Sequence, residues 1–230
     1  MLFSMLLAIA IARPPLGAEG PRPDTAAVLA QYPLRKGARW IYEGKAEWTD
    51  VRHRRVHQGR VRDVMEVLQV LPGPTSFAAV VRGFPMDLAW YQPAVKPRIS
   101  VVVCKEGRFY QRASRGLGPA VALARALLSD PAWPPREEDP FLDLPLEEAK
   151  VWGHDLGRDD ALYRWVVEGK APRAFPGSGG GRHPVFTASF ATRPDKVVLE
   201  FAPGVGITAF SYEHHGAVAR TEVRLVGRQP

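Results

Sequence analysis

Phe201-Ala202-Pro203-Gly204-Val205-Gly206-Ile207-Thr208-Ala209-Phe210-Ser211-Tyr212-Glu213-His214-His215-Gly216 is the stretch that decides the fold. Pro203 to Gly206 reads as a sharp break or bulge between two strands, because glycine accepts backbone angles that other residues avoid. From Val205 the chain alternates again, with Phe210 and Tyr212 on one packed face. His214 and His215 stand at the next corner, and Gly216 lets the chain turn there. A strand, a tight break, a second strand and a second corner is the rhythm of an antiparallel meander.

The same rhythm extends in both directions. Upstream come Ala38 to Thr49 with Trp40, Tyr42 and Trp48 as apolar anchors, Gly59 to Leu71, Thr75 to Val81, Arg98 to Cys104, and Arg108 to Gln111 after the Glu106-Gly107 turn. Ala161 to Gly169 with Trp165, Val185 to Thr192 and Lys196 to Ala202 follow, and Ala217 to Val226 closes the series. Strands in succession without βα alternation predict a mainly β protein, a large curved antiparallel sheet or open barrel of about ten strands. One segment breaks the pattern. Pro119 to Leu128 is built of helix formers with Arg125 as its only charge, has proline in its first turn, and stops at Asp130-Pro131. Such a helix is expected to bury most of its circumference across the concave face of the sheet, as core filler or as a lid over an apolar cavity. The acidic, proline-rich connector from Asp130 to Lys150 is expected to be pinned to the domain by Phe141, Leu142, Leu144 and Leu146.

With 230 residues, 46% of them hydrophobic and 24% charged, the chain suits one large β domain and is not of disordered composition. Residues 1–18 read as a signal peptide, since Met1 to Ala12 is apolar but for Ser4 and too short to span a bilayer, although no Lys or Arg precedes the run. Residues 19–31 form a linker, either a tether or a short helix, and 32–230 a single antiparallel β domain. No later segment reaches membrane-spanning length, so export to the periplasm or the medium is the expected address.

Candidate sites are few. The net charge of +7 is concentrated at Arg52, Arg54, Arg55, Arg60 and Arg62, an anion patch or a solvated hairpin tip. No aromatic is interleaved there to stack a base, so nucleic acid is not expected. His214 and His215 beside Glu213 offer metal ligands that His154 or His183 could join, although adjacent strand residues face opposite ways. Pro176-Gly177-Ser178-Gly179-Gly180-Gly181 lacks both the Gly-Lys-Ser/Thr of a phosphate loop and the glycine that precedes a nucleophile elbow. Cys104, the only cysteine, ends a Val-Val-Val run and reads as a buried inert thiol. No cofactor is implied.

Pro33-Leu34, Gly37, Trp40, Tyr42 and Glu43 at the front, and Pro203-Gly204-Val205-Gly206-Ile207, Phe210, Tyr212 and His214-His215-Gly216 at the back, resemble a family of exported bacterial β-rich proteins. That resemblance implies a curved sheet similar to those of lipoprotein carriers, which wrap an apolar cavity closed by helices, and it brings no catalytic residues. The expected function is a non-catalytic protein of the cell envelope that binds an apolar or amphipathic ligand, such as lipid, or an envelope partner. Trp40, Tyr42, Trp165, Phe210 and Tyr212 are the candidate ligand-contacting side chains. The alternative is a hydrolase or metal-dependent enzyme using the His214/His215 corner.

Overall fold

A computed structural model describes residues 24–50, 55–73, 75–135, 138–153, 162–176, 180–216 and 218–229. The proposed signal peptide, Arg52, Arg54 and His154 lie outside the described residues. One antiparallel sheet carries all the strands: β1 (Arg39–Asp50), β2 (Arg55–Pro72), β3 (Ser76–Arg82), β4 (Ile99–Lys105), β5 (Arg108–Ser114), β6 (Leu142–Asp143), β7 (Val151–Gly153), β8 (Arg164–Arg173), β9 (His183–Ala191), β10 (Asp195–Ala202), β11 (Gly206–His214) and β12 (Ala219–Gln229). Their order is β6-β5-β4-β3-β2-β1-β12-β11-β10-β9-β8-β7, which curls into a nearly closed barrel. The strand count is twelve rather than ten because the connector contributes the short β6 and the residues just after it the short β7.

β2 makes the curl possible. It pairs with β1 through residues 55–66 and with β3 through 66–72, and a register shift between Val67 and Gln69 lets one strand serve both neighbours. The open seam is sealed by the connector. Trp152 Nε1 donates to Pro140 O at 2.9 Å, Lys150 Nζ donates to Asp143 O at 2.7 Å, and Phe141, Leu142, Leu144 and Leu146 are buried. β6 pairs with β5 and β7 with β8, where Trp152 also stacks on Trp165 at 5.9 Å, so this stretch bonds to both sheet edges.

Both ends are plugged from within. At one end α1 (Thr25–Gln31), capped by Asp24, delivers Val28 and Tyr32 into the barrel. Of the two forms open to this segment, residues 25–31 therefore take the helix. Tyr32 sits 5.5 Å from both Phe109 of β5 and Phe201 of β10, so aromatic contacts cross the whole interior. The other end is crossed by a strap, residues 83–98, that holds a 3-10 turn (Pro85–Leu88).

α2 (Leu117–Ser129) packs on the sheet as expected of an apolar helix, but on its outer rather than its concave face. On β3 the odd residues Phe77, Ala79 and Val81 face the interior, while Ala78 and Val80 face outward with Val101 and Val103 of β4. α2 packs on that outer, convex face, with only Ala120 and Ala124 fully covered. The reason is steric, because aromatic side chains already fill the interior. The continuous apolar run of β3 supports packing on both sides, and two alanines allow close approach. Ala122 and Ala126 remain exposed, so the helix buries one stripe rather than most of its circumference.

Candidate functional site

The five aromatic residues expected to meet a ligand are core instead. Trp40, Tyr42, Phe210, Tyr212 and Trp165 are all buried. Trp40 Nε1 donates to Val205 O at 2.7 Å, and Tyr42 Oη donates to Ile207 O at 2.9 Å. Two hollows, of about 350 and 210 Å³, flank the C-terminal half of α2 on the outside, and none of the five residues lines either. The five side chains are part of the aromatic packing that occupies the barrel centre.

What the registers do assemble is a rim. One row crosses five strands in the order His57, Trp48, Ala219, His214 and Asp195, on β2, β1, β12, β11 and β10. The row shares the inward parity of Tyr42, Val61 and Tyr212, and it marks the end of the barrel that the strap crosses. Gly83 starts the strap at φ +70°, and its N–H donates to Arg98 O at 3.0 Å, closing the base. A Cβ there would lie 2.4 Å from Val64 O, so only glycine fits. Beyond it Phe84 is buried against Phe141, and Leu88 O accepts from Thr221 Oγ1 at 2.9 Å. Tyr91 then packs edge-on to Trp48 at 5.6 Å, and Trp48 stacks on His57. Trp90 leans the other way, 4.8 Å from His214 and 5.6 Å from Tyr212, yet stays 56% exposed. A large indole held open to solvent on two ring contacts is the most conspicuous apolar feature of this mouth.

Asp195 organises the His214 side. Its Oδ1 accepts from Tyr212 Oη at 2.6 Å and pairs with His214 Nδ1 at 2.9 Å. Burial works against the carboxylate charge, but these hydrogen bonds outweigh it and hold Asp195 below the ordinary carboxylate value. Tyr212 is pushed up, first by burial and then by the same carboxylate. The arrangement orients the imidazole as a support for Trp90. Among the described residues no hydroxyl or thiol is bonded to His214, and no group of three His, Cys, Asp or Glu side chains is placed to hold a metal. His215 is exposed and its N–H donates to Pro194 O, so the pair does not converge. Glu213 lies opposite Lys196 and Arg220, and His183 stands beside Phe175 at the far end of β9.

Three residues of the anion patch, Arg55, Arg60 and Arg62, are among those described. Arg62 pairs with Glu43 at 3.4 Å on the outer face, Arg60 lies opposite Lys45, and Arg55 is opposite Asp50 at the hairpin end. Cys104 is buried and its thiol is pushed up to about 12 by burial, as an inert core cysteine requires.

Beneath the strap is a polar layer that the sequence reading passed over. Asp87 of the 3-10 turn accepts from Ser100 Oγ at 3.1 Å and from Gln111 Nε2 at 2.8 Å, inside the mouth. Asp63 of β2 points inward between Val61 and Met65, with Oδ2 buried and unpartnered. Burial pushes its carboxyl up to about 6, and the charge of Asp87 adds to that. The signal for Asp63 was present, a carboxylate on the apolar parity of a strand. The signal for Trp90 was an adjacent Trp-Tyr pair in a loop holding Pro85, Pro93 and Pro97.

The fold and site define a class: a filled antiparallel barrel, plugged at both ends, with an aromatic mouth. No protein-family model matches the chain, and no curated protein matches it in sequence. Two solved structures are similar to it in outline. One, from Bacteroides fragilis, is an inferred exported protein with a YmcC-like fold, 12% identical over 85% of this chain and 97% of its own, with a TM-score of 0.42. The other, from Parabacteroides distasonis, is an inferred lipoprotein, 9% identical over 85% of this chain and 96% of its own, with a TM-score of 0.39.

Proposed function

We propose that this chain is an exported, non-catalytic protein of the cell envelope that recognises an amphipathic envelope component at its aromatic mouth. The observation that carries the reading is Trp90, a large apolar side chain more than half exposed yet held by His214 and Tyr212. An exposed indole whose orientation is already set loses little freedom on binding, which favours a contact role. The apolar run of Met1 to Ala12 supports export. The packed interior favours a surface contact over an enclosed ligand, because admitting a ligand between Tyr32, Phe109 and Phe201 would require the core to separate.

Native mass spectrometry of the chain purified from an exported fraction tests this. The expected result is a co-purifying amphipathic molecule or envelope partner that is lost from Trp90→Ala. A chain retained in the cytoplasm, or one whose adducts are indifferent to Trp90, would overturn the reading.

A further inference from the structure

Resting on that reading, we infer that the component met by the mouth is the surface of an anionic lipid bilayer. Exposed apolar side chains are spaced along this rim, related through the strand positions between them. Trp90 leans on His214, His214 is opposite Ala219, the preceding Val218 O accepts from Thr49 Oγ1 at 3.1 Å, and Thr49 is opposite Val56. Trp90, Val56 and Val218 are 56, 53 and 40% exposed, and Val95, 52% exposed, stands on the same strap. Three of the four sit on turns or the strap and Val56 one residue inside its strand end, the position from which a side chain can enter a headgroup layer without unfolding anything.

Charge complements this apolar lip. Among the described residues, the exposed cations of the strap and adjoining turns include Arg55, Lys96, Arg98 and Arg193. The acids beside them are Asp50, which lies opposite Arg55, Asp87 of the strap, which feels the charge of Arg98 and accepts from Ser100 and Gln111, and Asp195, which His214 and Tyr212 already engage. An indole with flanking basic residues matches the region where acyl chains meet anionic headgroups, since Trp favours that level and each nearby Lys or Arg adds attraction. A protein partner is the less favoured occupant, because three separate aliphatic tips and one indole ring supply no concave pocket for an anchor.

Co-sedimentation with vesicles of phosphatidylcholine and phosphatidylglycerol, against phosphatidylcholine alone, is the test. The full chain should bind the anionic vesicles, and Trp90→Ala and Val218→Asp should each weaken binding roughly tenfold. Raising salt to about 0.5 M should weaken it further, as screening shortens the reach of the rim cations. Val226→Asp, an exposed apolar position seven residues along β12 from the rim residue Ala219, should bind as the parent does. Circular dichroism establishes that each variant is folded, and Trp90→Phe, which keeps an aromatic ring, should restore part of the binding. Equal binding to neutral vesicles, no binding, or Trp90→Ala binding as the parent does would each overturn the inference. If vesicles are not bound while an adduct dependent on Trp90 persists, the bilayer assignment fails and the broader role of the mouth stands.

Discussion

Trp40 donates its indole N–H to the carbonyl of Val205 at 2.7 Å, joining the first strand of the barrel to the break between β10 and β11. Two strand positions on, Tyr42 repeats the link to Ile207 O at 2.9 Å. Both bonds are buried, and both tie the front of the chain to residues 165 positions away. Trp40→Phe and Tyr42→Phe each leave a buried carbonyl without that donor. Each is expected to lower unfolding stability by about 1–3 kcal/mol, read from urea denaturation. A Trp40→Phe protein as stable as the parent would show that this link does not hold the turn in place.

The same turn makes a sharper demand through its glycines. Gly206 has φ +105°, and a Cβ on it would lie 2.6 Å from Tyr32 Cε2, in the plug of the barrel. Gly204 also has positive φ, at +80°, but the nearest atom to its Cβ would be Ala30 O at 3.9 Å. Gly204→Ala is expected to cost about 1 kcal/mol of backbone strain alone. Gly206→Ala adds displacement of the Tyr32 ring and should cost roughly 3 kcal/mol or more. Thermal melts of the two variants side by side decide it, and equal losses would mean that Tyr32 yields freely.

These residues also show how much was legible in the sequence. Alternation with period two gave the strands, and glycine punctuation gave the break at Pro203 to Gly206, because both signals are local. The location of α2 was not local. Its apolar composition was compatible with either face of the sheet, and the choice was made by the aromatic filling of the interior from Tyr32, Phe77, Phe109 and Phe201. The same packing turned Trp40, Tyr42, Trp165, Phe210 and Tyr212 from candidate ligand contacts into core. Of the histidine corner, only His214 belongs to the mouth. Its partners Asp195 and Trp90 arrive from β10 and the strap, and no spacing within Glu213-His214-His215-Gly216 could announce them.

That difference between the two histidines is itself measurable. His214→Ala removes the ring under Trp90 and one bond to Asp195, so the strap should loosen. Amide exchange across the 3-10 turn is expected to quicken by roughly tenfold, and near-ultraviolet circular dichroism should change. His215→Ala, exposed and held through its backbone, should leave both unchanged. Identical behaviour of the two variants would remove His214 from the support of the mouth.

Asp63 supplies a dependence on pH. Its carboxyl rises from 3.8 to about 6 because burial penalises the charge and Asp87 of the strap repels it. Between those values the folded chain keeps a proton that the unfolded chain has released, so stability falls as pH rises through this window. The loss is complete above the folded value and amounts to something on the order of 3 kcal/mol at neutral pH. Asp87 is raised as well, by burial in the first place, and pulls in the same direction. Asp63→Asn keeps the shape of the side chain and removes the ionisation. The variant should gain on the parent as pH is raised from about 4 to 7, with the gain levelling off above the folded value. Urea midpoints across that range measure the difference directly. A difference that stays constant with pH would show that Asp63 ionises as freely in the folded barrel as in the unfolded chain, and that the strap is indifferent to the charge beneath it.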